Sequence, residues 1–81
     1  MSKILSEREY GFSECISKAN YFMSEAFYWS KSEIYAKSVK EHAQNAAAWF
    51  ELAKVAQKRG CIVVAIPAKG IPYMPVVYSY S

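Results

Sequence analysis

Residues 61–81 read CIVVAIPAKGIPYMPVVYSYS and hold a single charge, Lys69; every other Lys, Arg and Glu of the chain lies in the first sixty residues. Gly60 therefore divides a charged body from an apolar tail. Within the tail, residues 61–66 are rich in β-branched side chains and bounded by Gly60 and Pro67. That pattern predicts a strand buried on both faces. Pro67-Ala68-Lys69-Gly70 has the chemistry of a turn, with proline to open it and glycine free to take positive φ. Pro72 and Pro75 each lack a ladder donor. Their odd spacing directs the missing N–H groups to opposite edges. The returning strand is thus expected to be irregular through Met74 and regular over 76–80. A two-stranded hairpin alone is marginal in water, so it must pack on the body or extend another sheet.

The body reads as two helices. Ser6 with Glu9 fits a capping box. From Phe12, apolar residues recur at 12, 15, 16, 19, 22, 23, 26 and 27, one broad arc at 100° per residue. A first helix is predicted over about 6–29, its stripe packing on the next helix. Tyr10, Tyr21 and Tyr28 fall on its opposite side, a second aromatic face on which the hairpin can dock. Ser30 with Glu33 suggests a second cap, and the second helix is expected over about 32–59. Tyr35, Val39, His42, Ala43, Ala46, Trp49, Phe50, Ala53 and Ala56 share one arc and stay in phase, so no break is expected at Asn45. Lys54, Lys58 and Arg59 suit the helix C-terminus, and Gly60 is the expected stop. The predicted fold is α+β in a single domain, residues 1–81. It consists of two long antiparallel helices followed by a C-terminal two-stranded β-hairpin packed on them.

The chain is 53% hydrophobic and 16% aromatic in 81 residues. A core of this size supplies only about 3–5 kcal/mol, so some apolar surface is expected to serve association. The opening MSKILSEREY lacks the apolar run of a signal peptide. The longest apolar run, 61–67, is far short of a membrane span. A cytoplasmic protein with two buried, reduced thiols, Cys15 and Cys61, is expected.

Catalytic chemistry finds little material. His42 is the only histidine and there is no Asp. A dyad of His42 with Cys15 or Cys61 needs an electropositive, partly exposed thiol, which apolar surroundings oppose. No CxxC or HxxxH spacing suggests a metal, and Lys69-Gly70 lacks the glycines of a phosphate loop. Neither an enzyme nor a cofactor is expected. Seven tyrosines stand out, because Tyr is favoured at protein interfaces. The expected function is a small non-catalytic protein–protein interaction module, a homodimer or an inhibitor or adaptor of a larger host complex of the phage or mobile-element kind. Its contacts would come from Tyr10, Tyr21, Tyr28, Tyr73, Val76, Tyr78 and Tyr80. The alternative is nucleic-acid or nucleotide binding by phosphate contacts from Lys37, Lys40, Lys54, Lys58 and Arg59, a patch that Glu41 and Glu51 interrupt.

Overall fold

The computed structural model of the chain describes residues 4–80, and of Tyr80 the backbone alone. Strand β1 spans Ile4–Gly11, helix α1 Phe12–Trp29, helix α2 Ala36–Arg59, strand β2 Cys61–Pro67 and strand β3 Val76–Tyr80. A short 3-10 turn, Glu33–Tyr35, precedes α2. The strands form one antiparallel sheet in the order β1-β2-β3. The fold is α+β, as the sequence predicts, with three strands rather than two.

The third strand is the main correction. Residues 6–11 do not open the first helix; they pair with β2, Ser6 opposite Ile66 and Tyr10 opposite Ile62. The local signal of Ser6 and Glu9 loses to a long-range one. Ile62, Val64, Ala65 and Ile66 are buried, and a buried strand cannot leave one row of N–H and C=O groups unpaired. β3 satisfies one edge of β2 and β1 satisfies the other. Alternating Glu7, Arg8 and Glu9 then occupy an exposed edge strand, where charge discourages pairing with foreign strands. Helix α1 begins at Phe12 instead. The Gly11 N–H donates to Glu14 Oε1 at 3.4 Å, and that carboxylate sits in the first turn, where the helix dipole favours it.

The two helices form a hairpin. Trp29 packs on Tyr35 and Phe22 on His42, so the chain pairs in reverse order. The break needs neither Gly nor Pro. Ser30 closes α1, its hydroxyl donating to the Phe27 carbonyl at 2.6 Å, and Ser32 is extended. Ser30 is therefore the end of α1 and not the cap of α2. Helix α2 runs unbroken through Asn45 to Arg59. Gly60 stops it at φ +95°, its N–H donating to the Ala56 carbonyl at 2.7 Å. The left-handed φ suits glycine at this position.

The core lies between the helices and the inner face of the sheet. Ile62, Val64 and Ile66 meet Trp49, Leu52, Ala53 and Ala56 of α2 and Cys15, Ala19 and Phe22 of α1. Tyr10 joins this core with 4% of its surface exposed. Its ring meets Trp49 edge to face at 4.9 Å, and the Arg8 guanidinium lies over it at 4.5 Å. The buried line of α2 includes Asn45 and Leu52, while Tyr35 and Ala43, expected inside, are exposed. Asn45 Nδ2 donates to the Pro72 carbonyl at 2.8 Å, which ties the β2–β3 connection to the helix. The Cα trace measures 41 × 30 × 13 Å, a flat slab with two broad faces.

Candidate interaction surface

Helix α1 carries more apolar residues than its neighbours can cover. Cys15, Ala19, Phe22 and Ala26 are buried and lie, at about 100° per residue, within an arc of about 60°. Phe12, Ile16, Met23 and Phe27 fill the adjoining arc of about 60°. Of these Ile16 is half-buried, whereas Phe12, Met23 and Phe27 are 43%, 49% and 73% exposed. The helical period predicts all eight against α2. One helix partner and one sheet bury four of the eight and half-bury Ile16, and Phe12, Met23 and Phe27 stay outside.

The exposed stripe points away from the sheet. Glu14, Lys18 and Tyr21 of α1 line a groove of about 360 Å³ with Arg8 and Tyr10 of β1. The stripe lies roughly 180° around α1 from them. Beyond it, Ser13, Asn20, Ser24 and Ser17 complete a half-cylinder that holds no charged residue. All three ionisable Glu and Lys side chains of α1 face the sheet side. A helix meant for water normally carries its charges on the side opposite its core; in α1 they lie on the sheet-side flank, with Glu14 and Lys18 exposed there, and the side facing away from the sheet carries none. Ile34, 81% exposed beyond the end of α1, adds to the apolar surface.

The residues predicted as contacts divide. Tyr10 is a core residue and presents almost no surface to a partner. Tyr21 and Tyr28 are exposed, as the helical wheel implies, but they do not jointly receive the hairpin. Tyr28 packs edge to face on Trp29 at 5.0 Å. The Tyr21 hydroxyl donates to Glu25 Oε1 at 3.2 Å, and that bond, with the carboxylate's charge, raises the Tyr21 pKa. Tyr21 also lines a second groove, of about 290 Å³, with Lys18, Phe22, His42 and Tyr73. Tyr73 has φ +62°, the only positive φ of a described non-glycine residue. Val76 and Tyr78 stand exposed on the outer face of the sheet. There the Tyr78 hydroxyl reaches across β2 to Glu7, which raises its pKa. The Tyr80 side chain lies outside the described residues.

The basic residues Lys37, Lys40, Lys54, Lys58 and Arg59 are all exposed on α2. Lys54 is engaged by Glu51 at 3.4 Å, so the patch is partly neutralised from within.

Cys15 is fully buried, and burial first, then the nearby Glu14 and Cys61, pushes its thiol up to about 11. A protonated thiol without access is a poor nucleophile. Cys61, expected to be buried, is exposed at the start of β2, and no disulfide joins it to Cys15. His42 stacks on Phe22, and its buried Nδ1 lacks a hydrogen-bond partner. Among the described residues no group of three His, Cys, Asp or Glu side chains is placed to hold a metal, and no helix is long and apolar enough to cross a membrane. Comparison of the chain with protein-family models, curated proteins and solved structures finds no match.

Proposed function

We propose that this chain is a non-catalytic protein–protein interaction module that works through the outer face of its helical layer. The observation that carries the reading is the line of Phe12, Met23 and Phe27, exposed on a half-cylinder of α1 without a charge. Aromatic and Met side chains are enriched at protein interfaces, and charged residues are depleted at their centres. Isolated exposed hydrophobics are ordinary; a continuous line at helical spacing is not. The contact residues proposed on this face are therefore Phe12, Met23 and Phe27; Tyr21, Tyr28 and Tyr73 lie off it, and Val76 and Tyr78 stand on the opposite face, the outer side of the sheet. Action as an inhibitor or adaptor of a larger complex is one use such a module has. Phosphate binding by α2 ranks below it because Glu51 already engages Lys54.

Site-specific photo-crosslinking in cells tests the reading. A photoreactive residue at Phe27 is expected to give a discrete protein adduct that Met23→Lys abolishes, and the same group at exposed Ala68 is expected to give none. Absence of any adduct from Phe27, or equal labelling from Ala68, refutes it.

A further inference from the structure

The apolar stripe of α1 has a property that a surface for an unrelated partner does not need. Its residues are Phe12, Ile16, Met23 and Phe27, spaced four, seven and four. That spacing reads the same in both directions, about a centre between Ala19 and Asn20. Reversal also conserves side-chain type, Phe12 exchanging with Phe27 and Ile16 with Met23. We infer that the outer face of α1 is filled by α1 of a second copy of this chain, antiparallel, in a two-fold dimer. The inference rests on the interaction reading above and names its partner.

A two-fold interface is self-complementary: if residue i meets residue j, then j meets i. Antiparallel α1 helices in the register centred between Ala19 and Asn20 satisfy this with every large apolar residue used. Phe12 meets Phe27 at both ends, and Ile16 meets Met23 inside them. Asn20 lies beside the axis, where two side-chain amides can donate to and accept from each other. The uncharged half-cylinder brings no like charges together, and antiparallel helix dipoles attract. In the parallel register Phe12 would meet Phe12 and Phe27 would meet Phe27, and the two helix dipoles would repel. A stable pair needs about 800 Å² from each partner; the α1 stripe supplies the centre of that contact, and the rest of the helical face, on a slab 41 × 30 Å across, supplies its margin. The sheet stays outside, so the dimer has helices within and strands without.

Light scattering and sedimentation of the purified chain test this. The mass is expected to rise to twice 9.2 kDa with concentration. Phe27→Lys is expected to weaken self-association about 30-fold or more, as loss of a hot-spot aromatic does. Its far-UV circular dichroism should remain that of the wild type, because the side chain is 73% exposed in one chain. Phe12→Glu alone should act likewise. The chain carrying both Phe12→Glu and Phe27→Lys sets opposite charges across both end contacts and is expected to recover the dimer. Failure of that double variant to recover, with both single variants folded, overturns the antiparallel pairing. A wild-type chain that stays monomeric at high concentration overturns the second copy as occupant. In that case a crosslinked adduct from Phe27 with the mass of a foreign chain would leave the interaction reading standing.

Discussion

Tyr10→Ala separates the observed fold from the fold its sequence suggests. On the end of a long first helix, Tyr10 would share one face with Tyr21 and Tyr28, and its loss would cost no more than the loss of Tyr28. In strand β1 its ring is 4% exposed and meets Trp49 at 4.9 Å. Removing a buried aromatic costs about 3–5 kcal/mol through lost transfer energy and the cavity left behind. The edge-to-face pair with Trp49 is part of that loss. A chain of this length has about 4–12 kcal/mol of net stability, so the substitution removes about a quarter of it or more. The melting temperature should fall by at least about 12 °C, at about 4–8 °C per kcal/mol. The control is Tyr28→Ala, which removes the same side chain from a site 58% exposed and should cost about 1 kcal/mol or less. Urea titrations of wild type and both variants, followed by circular dichroism at one protein concentration, give the comparison. A cost below about 1 kcal/mol for Tyr10→Ala, equal to that of Tyr28→Ala, would refute the placement of Tyr10 in the core and with it β1.

Two further outcomes follow from particular contacts. Asn45→Ala removes the tie from α2 to the Pro72 carbonyl and should cost about 1–2 kcal/mol. Proteolysis should then begin within residues 68–75, and cleavage elsewhere first would count against the tie. The Cys15 thiol loses its proton at about 11 in the folded chain against 9.0 for an ordinary thiol. The folded state therefore holds this proton more tightly, so the stability it contributes is complete below pH 9 and is lost as pH rises toward 11. The urea midpoint should fall less between pH 8.5 and 10.5 in Cys15→Ala than in wild type, and alkylation at pH 8 should reach Cys61 well before Cys15. Equal pH dependence in the two proteins would remove Cys15 from the account.

Much of the fold is legible in the chain because its signals are local. The period of α2, the stop at Gly60, the β-branched run of β2 and the displaced start of β3 at Val76 each follow from adjacent residues. The proline argument holds because a missing N–H is a property of one residue. What is not legible is non-local. Ser6 and Glu9 carry a genuine helix-start pattern, and nothing near them reports that β2, more than fifty residues away, has an unpaired edge. For the candidate surface, periodicity marks Phe12, Met23 and Phe27 as apolar-face residues but does not say how wide an arc α2 covers. The one signal available was charge: α1 carries none along the side from Phe12 through Asn20 to Ser17.

The sequence by itself determines that two amphipathic helices precede an apolar, strand-forming tail, since hydrophobic period and turn chemistry act over a few residues. The tertiary structure decides what the tail becomes. Residues 61–67 form the expected hairpin with β3 and are also the central strand of three, because a buried backbone must satisfy both of its edges. It also decides that Tyr10 leaves the tyrosine face for the core and that Phe12, Met23 and Phe27 of the α1 stripe remain outside. Those outcomes depend on which surfaces the packed layers reach, and that reach is set only when all the layers are in place.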